Sequence, residues 1–495
     1  MKRFFILFIL LIAGVLCENL YAQYSYRDSE TTKLRKFLLQ ESAEPGVKNY
    51  QQLGMSQIDD INWGSVPGLL WTNQTYLLDI VDWSNKKLSG HLDLSGFEAL
   101  RMVYCSDNEL NSIDVAGSSS IKVLDCFGNN FYSLDFSTNV NLTHLCFRDN
   151  NLREIDLSNN KKLTDLYCTN NQLEYLDLSG LGELSTFYCV SNNLVELNIN
   201  GCTRLRNFLC MENNLTTLDV SNKKYLVEFS CARNNITDIN VTNCSSMVIF
   251  DCCENKLETL DLKGCSSLSY LKCSGNILKN LLLDDCQSLE ELYCEENSLA
   301  SLKLPDSPSL NTIHCKNNEM DFYSLPTILS NYTNYVYYPQ KHRDVEFDFK
   351  SVDLSDFFEI ESIVSRYLWY EYVNLLKPEM GGDGIFRFEE SFLNKKLTCR
   401  IENGVFPKLV LRYEVTLTNG DVGNVIPEKN QSYAYSSEGY IHIIAASSGD
   451  VKIYSLQGAL LMARNIEEGR TDIPFVKGMY VVSINNGKAC RFIVR

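Results

Sequence analysis

Cysteine is the residue of this chain whose type and spacing could do chemistry, and the sequence holds 19 of them. One cysteine column repeats every 21 residues with Phe147 in its single gap, and its members are Cys105, Cys126, Cys168, Cys189, Cys210, Cys231, Cys252, Cys273, Cys294 and Cys315. Thiolates bind zinc and take part in redox reactions, so a metal site or a redox sensor is one interpretation. A straight column cannot close a tetrahedron, and strands about 4.7–4.9 Å apart hold Cβ atoms too far apart for a good disulfide. We therefore interpret the column as buried hydrophobic filler, a role that Phe147 can share.

A second set of cysteines falls on the same grid nearer a turn and receives the same interpretation; it consists of Cys202, Cys244, Cys265 and Cys286. Cys146 and Cys253 lie outside both columns, at positions expected to face outward on a strand. They are five coils apart, too far to pair. Exposed thiols are oxidation targets, but a local shift of the register would explain the two positions equally well. We assign them no role.

The sequence gives no case for an enzyme. Its five histidines are scattered, at His91, His144, His314, His342 and His442. None has the spacing of a metal ligand, and no nucleophile or phosphate-binding motif is present. Adjacent carboxylates such as Glu295–Glu296 point to opposite faces of a strand, so they indicate solvated surface. We expect no catalytic residue, no metal and no cofactor.

The elements that position these residues are repeats. An asparagine recurs every 21 residues without insertion or deletion, at Asn108, Asn129, Asn150, Asn171, Asn192, Asn213, Asn234, Asn255, Asn276, Asn297 and Asn318. The unit has the pattern LxxLxCxxNxLxxLDLS. Six inward side chains at ~2 kcal/mol each cannot offset ~1.5 kcal/mol of ordering entropy per residue, so one unit alone would not fold. The pattern predicts a solenoid in which each unit stacks on its neighbours.

This repeat resembles the bacterial leucine-rich repeats of the internalin family, and most closely the internalin J-like form with a cysteine ladder. The resemblance covers residues 79–330, with strict units over residues 100–330. It implies a curved solenoid whose LxC segments form short parallel strands on a concave face. It also implies that each asparagine bonds the backbone of the adjoining turn, as an amide with both donor and acceptor can.

Aromatic residues at outward strand positions are the candidate binding residues; they are Tyr104, Phe127, Tyr167, Tyr188, Tyr270 and Tyr293. A tyrosine ring supplies contact area and its hydroxyl orients a partner. The alternative is that strands simply favour tyrosine. The aspartate of the LDLS segment could indicate calcium, but we interpret it as a cap for turn N–H groups; it recurs at Asp114, Asp135, Asp156, Asp177, Asp219 and Asp261.

The start of the chain predicts export. A short basic region, an apolar run and a small residue before the cut describe a secretory signal peptide over residues 1–22. Cys17 suggests a lipoprotein as an alternative, although Leu16 before it does not suit a lipobox. No later run approaches 18 apolar residues, so we expect no transmembrane segment. The net charge of -17 argues against nucleic acid and anionic membranes as partners.

Residues 23–99 are expected to form an N-terminal cap and an incomplete first repeat. A short amphipathic helix is predicted over Thr31 to Leu39. Solenoids need caps to cover their open apolar ends. Trp63, Trp71 and Trp83 are therefore assigned to the core of the cap rather than to a ligand site.

After the array, hydrophobic alternation replaces the repeat and predicts short strands. We expect an immunoglobulin-like β-sandwich over residues 331–428. Trp369 and Cys399 resemble the core of the domain that follows the repeats in internalins, although a second cysteine for the usual disulfide is absent. The work expected of this domain is spacing and capping.

Residues 429–495 predict a small β-sandwich, with Asn486–Gly487 as a hairpin signal. The segments GDVKIYSLQG and GMYVV and the basic end resemble the C-terminal sorting domain of type IX secretion cargo in Bacteroidetes. That resemblance implies a contact with the secretion machinery and cleavage at the cell surface.

The expected fold is thus a mainly β repeat protein: a leucine-rich repeat solenoid followed by two β-sandwiches. The expected function is an exported cell-surface adhesin or host-interaction factor that binds a protein or glycoprotein through its concave face. The alternative is a structural protein of the cell envelope or biofilm matrix without a single receptor.

Overall fold

The computed structural model describes residues 26–59, 61–327, 332–348 and 351–418, and seven strands over residues 433–494. The signal peptide predicted for residues 1–22, with Cys17, lies outside the described residues. The described residues divide into two compact units. The first takes those up to Arg343 together with Glu359–Arg366 and Arg400–Arg412, and the second takes the rest.

Among the described residues, both α-helices lie in the N-terminal cap. They are α1 (Asp28–Leu38) and α2 (Asn49–Gln52), with 3-10 helices at Trp63–Ser65, Ser355–Phe357 and Glu390–Phe392. Helix α1 begins three residues before the predicted start and buries its apolar face, and the Phe37 ring stacks on Trp83 at 5.4 Å. Trp83 is fully buried and Trp63 nearly so, whereas Trp71 is half-buried. None of the helices in the described part of the chain has the length and apolar character needed to cross a bilayer.

The repeats form short strands. They are β1 (Leu69–Trp71), β2 (Leu78–Asp82), β3 (Ser89–Asp93), β4 (Met102–Tyr104), β5 (Glu109–Asp114), β6 (Val123–Asp125), β7 (His144–Cys146), β8 (Asp165–Tyr167), β9 (Tyr175–Asp177), β10 (Thr186–Tyr188), β11 (Glu196–Asn198), β12 (Asn207–Leu209), β13 (Thr217–Asp219), β14 (Glu228–Ser230), β15 (Asp238–Asn240), β16 (Ile249–Asp251), β17 (Thr259–Asp261), β18 (Tyr270–Lys272), β19 (Asn280–Leu282), β20 (Glu291–Tyr293), β21 (Thr312–His314) and β22 (Asn334–Val336).

Fourteen of these strands form one long sheet in the order β1-β2-β4-β6-β7-β8-β10-β12-β14-β16-β18-β20-β21-β22. Strand β1 pairs antiparallel with β2, and every later neighbour pairs in parallel, as in Phe187↔Phe208. The parallel solenoid predicted from the 21-residue period is confirmed. Strand β22 continues the sheet past residue 330, where the sequence predicts the end of the repeats. The 21-residue period does not extend to this strand, because its coil has 22 residues.

A residue with left-handed backbone and the side chain of the ladder asparagine shape the turn in each coil. The residue two positions after the cysteine column has a positive φ in all eleven regular repeats, for example Asp149 at 55° and Asn170 at 55°. The next residue is the ladder asparagine, whose amide bonds two coils at once. Asn129 Nδ2 donates to the carbonyls of Cys126 and of Cys105 in the preceding coil, and its Oδ1 accepts from the Leu110 N–H. The predicted role of the asparagine is confirmed.

The solenoid core is built from columns of identical slots. Phe187, Phe208, Phe229 and Phe250 stack with ring centroids 5.1–5.3 Å apart. Short two-stranded parallel sheets, β3–β5, β9–β11, β13–β15 and β17–β19, form the opposite side of the coils. At the C-terminal end of the first unit, Phe406 packs on Tyr337 and Phe322, and the Lys408 N–H donates to the Tyr337 hydroxyl. These residues cover the last coil.

The described residues of the rest of the chain form 17 further strands. They are β23 (Arg343–Asp348), β24 (Val352–Asp353), β25 (Glu359–Ile360), β26 (Ile363–Val364), β27 (Arg366–Glu371), β28 (Asn374–Leu376), β29 (Glu379–Gly382), β30 (Ile385–Arg387), β31 (Lys396–Glu402), β32 (Val410–Thr418), β33 (Tyr433–Ser437), β34 (Tyr440–Ala445), β35 (Gly449–Ser455), β36 (Leu460–Ile466), β37 (Gly469–Pro474), β38 (Gly478–Ile484) and β39 (Cys490–Val494).

These strands form small sheets rather than coils. One has five strands in the order β23-β32-β31-β27-β28, and another has three in the order β24-β30-β29. Trp369 and Cys399 are buried, at 1% and 0% exposure. The C-terminal strands form the antiparallel sheets β33-β34-β37 and β36-β35-β38-β39. Asn486–Gly487 lies outside the described residues, and the immunoglobulin-like and sorting-domain assignments stay predictions.

Candidate recognition face on the long sheet

Side chains alternate along each short strand of the long sheet, so the first and third residues of each strand point away from the core. We call the surface formed by these side chains, together with the residue that follows each position of the cysteine column, the long-sheet face. The parallel register aligns the third residues in one row: Tyr104, Asp125, Cys146, Tyr167, Tyr188, Leu209, Ser230, Asp251, Lys272, Tyr293 and His314. All six candidate binding residues lie on this face, and all are half-buried.

The first aromatic cluster consists of His144, Tyr167 and Tyr188 on three successive coils. The Tyr167 ring lies 5.3 Å from His144 and 5.3 Å edge-on to Tyr188. Partial burial raises the pKa of both tyrosine hydroxyls above their ordinary value, so both remain neutral donors at physiological pH. Rings held by their neighbours lose little side-chain entropy when a partner binds.

The second aromatic cluster consists of Tyr270, Tyr293 and His314, with ring separations of 5.5 and 4.8 Å. The Tyr293 hydroxyl donates to Glu291 at 2.6 Å, and this hydrogen bond, with burial, raises the tyrosine pKa. Lys272 lies over both tyrosine rings. The cluster is thus a packed group with charged residues already paired.

His314 is held on both ring nitrogens. Its Nδ1 lies 3.1 Å from Glu295 Oε1, and its Nε2 lies 2.7 Å from the amide nitrogen of Asn334. Asn334 comes from β22, the strand beyond the regular repeats. The 21-residue period places His314 in the row of third residues, but it does not extend to Asn334.

Small and aliphatic side chains separate the two clusters. Ser230 and Ala232 are 6% and 8% exposed, and Ser230 lies between Leu209 on one neighbouring strand and Asp251 on the other. Ile249 is 39% exposed. The Ser230 hydroxyl has no hydrogen-bond partner within the described protein. A buried hydroxyl without a partner is costly. Sequence reasoning did not single out Ser230 and Ala232, because small residues gave no signal.

Tyr104 and Phe127 do not join either cluster. The Tyr104 hydroxyl contacts the Met102 sulfur at 3.6 Å, and Phe127 lies under the Arg148 guanidinium at 4.2 Å. The structure therefore brings the six candidates together as two pairs, Tyr167 with Tyr188 and Tyr270 with Tyr293, with two separate residues beside them.

The expectation of an exposed thiol is wrong for Cys146. It is only 6% exposed, and Asp125 lies opposite it on the neighbouring strand. Burial raises the Cys146 pKa to about 12, and the same holds for the half-buried Cys253. Neither thiol is activated as a nucleophile.

The main cysteine column is a core element. Its members are 0% exposed and their thiols are free, and burial raises their pKa values, as in Cys168 and Cys210. The second set does more than fill space. Cys202, Cys244 and Cys265 each donate from Sγ to a carbonyl of the preceding coil at 3.1–3.3 Å. Ser118 and Lys223 occupy equivalent positions and donate to the equivalent carbonyls.

The aspartates of the LDLS segment act as turn caps. In each of the six, the carboxylate accepts the N–H two residues later, as Asp156 does from Ser158 at 2.8 Å. The cap interpretation is therefore confirmed. Across the described residues, no group of three or more histidine, cysteine and acidic side chains is placed to hold a metal ion.

No family model and no curated protein matches this chain. Among solved structures it is similar to the functional domain of InlJ from Listeria monocytogenes, described as including a cysteine ladder, at 18% identity over 70% of this chain and 93% of that one, with a TM-score of 0.43. A leucine-rich repeat protein of Leptospira interrogans gives 19% identity over 54% and 73%, with a TM-score of 0.41. YopM from Yersinia enterocolitica gives 21% identity over 52% and 64%, with a TM-score of 0.37.

Proposed function

We propose that this protein binds a protein or glycoprotein partner through the long-sheet face. The observation that carries the proposal is the pair of packed aromatic clusters on either side of the small residues Ser230 and Ala232. Aromatic anchors around a well-packed centre are the arrangement that concentrates binding energy in protein interfaces.

The size of the face favours a macromolecule. Eleven strands about 4.8 Å apart extend on the order of 50 Å. Tyr188 and Tyr270 lie four coils apart, so their separation is roughly 20 Å on the same spacing. A small ligand cannot contact both clusters, whereas an elongated polypeptide surface can. Such a surface would cross the aliphatic side chains of Leu209 and Ile249 between the two clusters.

We also propose that the protein works outside the cell as an adhesin or host-interaction factor. The support is the signal peptide predicted at residues 1–22 and the sorting-type motifs within residues 429–495. Surface proteolysis and intact mass of the protein from its own cells test this part. Loss of the residues beyond about 430 with an accessible solenoid supports it; an intact, protease-protected chain contradicts it.

Substitutions on the two sides of the solenoid test the recognition face. Tyr188→Ala, Tyr293→Ala and Ala232→Arg change the long-sheet face. Tyr175→Ala and Val195→Arg are matched controls on the opposite side, where both residues are about half-exposed. Binding of each labelled full chain would be measured on host epithelial cells and on the producing bacteria, with thermal unfolding as a check of folding.

A specific receptor predicts that each long-sheet variant loses binding, by about tenfold or more at an anchor, while the controls retain it. The alternative, a structural role in the envelope or biofilm matrix, predicts small losses spread over many positions and a strong dependence on valency. Equal losses in both sets of variants would contradict the proposed face.

A further inference from the structure

A polar cavity of about 430 Å³ lies where the chain enters strands β8, β10 and β12 of the long sheet. Backbone hydrogen bonds align part of its lining: the Ser185 N–H donates to the Thr164 carbonyl and the Arg206 N–H to the Ser185 carbonyl, both at 2.8 Å. These three residues therefore form a row across consecutive coils, each directly before a strand. The cavity is lined by Thr164, Glu183, Ser185, Arg204, Arg206 and Tyr225.

The cavity holds one arginine that has no acidic partner. Arg204 forms an ion pair with Glu183 of the preceding coil. Arg206 makes no ion pair with any of the described residues, although acidic residues outnumber basic ones in this chain, 62 to 45. A guanidinium presents a planar fork of donors that matches a carboxylate. The unpaired charge therefore suits a carboxylate supplied by a ligand.

Hydrogen-bonding groups without charge compensation to perform lie beside Arg206. The Ser185 hydroxyl is half-buried and makes no hydrogen bond within the described part of the chain. The Thr164 hydroxyl donates to the Thr143 carbonyl at 2.9 Å, which leaves its oxygen able to accept. The Glu183 carboxylate has acceptor sites beyond those used by Arg204. A ligand with several hydroxyl groups would find both donors and acceptors here.

Tyr225 adds a flat apolar surface to the same cavity. The Val227 N–H donates to the Arg206 carbonyl at 2.8 Å, so the coil that contains Tyr225 follows the coil of Arg206 directly. The tyrosine is 59% exposed. The C–H face of a sugar ring can pack on an aromatic ring while its hydroxyl groups remain free for polar contacts.

We propose that this cavity binds a sugar that carries a carboxylate, as uronic acids and sialic acids do. Arg206 binds the carboxylate, Ser185 and Glu183 bond the ring hydroxyls, and Tyr225 packs on the C–H face. The volume is within the range of small-ligand sites. An acidic side chain of a polypeptide would use Arg206 alone, so the remaining lining favours the sugar.

The inference rests on the proposed function in one respect, which is that the sugar belongs to the glycoprotein partner. Thr164 and Ser185 lie in the same coils as Tyr167 and Tyr188 of the first aromatic cluster. A glycoprotein on the long-sheet face can therefore place a glycan in the cavity. Binding of the free sugar is independent of that partner and can be measured separately.

Titration of the full chain by NMR with glucuronate, N-acetylneuraminate and glucose tests the carboxylate. At least one acid should bind about tenfold or more tightly than glucose, and the tighter acid identifies the source. Arg206→Gln should abolish this preference. Lys122→Gln, which removes a charge from the same row four coils earlier, should retain it. Equal binding of glucose, or binding of acetate or of a blocked aspartate as tight as that of the acids, would overturn the proposal.

Substitution of Tyr225 tests the sugar ring. Tyr225→Ala should weaken binding of the preferred acid by about tenfold, whereas Tyr225→Phe should retain it, with thermal unfolding as a check of folding. Unchanged affinity in Tyr225→Ala contradicts the proposed packing. Tyr188→Ala, on the long-sheet face, should leave binding of the free sugar unchanged. A chain that binds cells through the long-sheet face but binds neither acid would overturn the sugar site and leave the proposed function standing.

Discussion

Gln340 Oε1 accepts the backbone N–H of Asn318 at 3.1 Å, across the final coil of the solenoid. Gln340 Nε2 donates to the Cys315 carbonyl at 2.9 Å, as Asn318 Nδ2 does to Cys294 one coil earlier at 2.9 Å. Gln340 therefore ends the asparagine ladder. The last coil has 22 residues, so the backbone of residue 340 does not occupy the same place on the turn as the backbone of a ladder asparagine. The extra methylene group of glutamine lets its amide reach the equivalent backbone groups.

Replacing Gln340 tests this end of the ladder. Gln340→Ala leaves the Asn318 N–H and the Cys315 carbonyl without a side-chain partner, so we expect a loss of about 1–3 kcal/mol in the free energy of unfolding. Hydrogen exchange should accelerate at Asn318 and Met320, whose N–H groups bond Gln340. Gln340→Asn keeps the amide but shortens it. A Gln340→Asn protein as stable as the wild type would contradict the role given to the methylene group.

An asparagine in the middle of the ladder should matter more. Asn213 Nδ2 donates to the carbonyls of Cys189, Cys210 and Met211, and its Oδ1 accepts the Leu194 N–H. Asn213→Ala strands these groups, and we expect a loss of about 2–4 kcal/mol in urea unfolding. Asn214→Ala, at the exposed neighbouring position, is the control and should change stability by less than about 0.5 kcal/mol. Similar losses in the two variants would show that the ladder bonds are not the cause.

The period of the sequence was enough to predict the solenoid, the asparagine ladder and the aspartate caps. Each of these depends on one residue type in one slot, and stacking places equal slots next to each other. The same register placed Tyr167, Tyr188, Tyr270 and Tyr293 on one face. These features needed no knowledge of side-chain rotamers.

What the period could not predict depends on contacts between unlike slots. Cys146 is buried although it occupies an outward strand position, and the second bond of His314 is made by Asn334, which lies past the regular units. The turn at Tyr372, which has a φ of 54° between β27 and β28, contradicts the turn chemistry on which sequence reasoning relies. Such departures from local rules are where function is expected to be found.

Lys223 occupies a slot that otherwise holds cysteine in three nearby coils. It is 6% exposed, and its ammonium donates to the carbonyls of Ile199 and Cys202 at 3.1 and 3.4 Å. Burial lowers its pKa, which reports the cost of desolvating the charge. Lys223→Cys removes that cost and keeps a donor to the same carbonyl, as in Cys244. We expect the melting temperature to rise, whereas Lys223→Ala should lower it; a fall in both would contradict the equivalence of the slot.

The cysteines should report unfolding rather than redox state. Burial raises the pKa of Cys168, Cys189 and Cys231, and a protonated thiol is a poor nucleophile. We expect iodoacetamide to leave the column unmodified in the native protein and to modify it fully in urea, as measured by mass spectrometry. Cys253, half-buried, should react slowly in the native state. Rapid native modification of the column would contradict its assignment to the core.

Glu30 gives the cap a pH dependence. It is 1% exposed, and one carboxylate oxygen accepts the Leu78 N–H at 2.9 Å while the other has no partner in the described protein. Burial raises its pKa above the ordinary value of 4.5. The folded state therefore holds the proton more tightly than the unfolded state. The contribution to stability is complete below pH 4.5 and is lost as pH rises through the folded pKa.

Glu30→Gln retains an acceptor for Leu78 and cannot ionise. We expect the melting temperature of the wild type to decline as pH rises from 4.5 toward neutrality, and we expect this variant to lose that decline. Glu98→Gln is the control with the opposite sign. A hydrogen bond from Arg27 lowers the Glu98 pKa, so its contribution is present above pH 4.5 and is lost as pH falls. Parallel melting curves for Glu30→Gln and the wild type across this range would show that Glu30 does not carry the pH dependence.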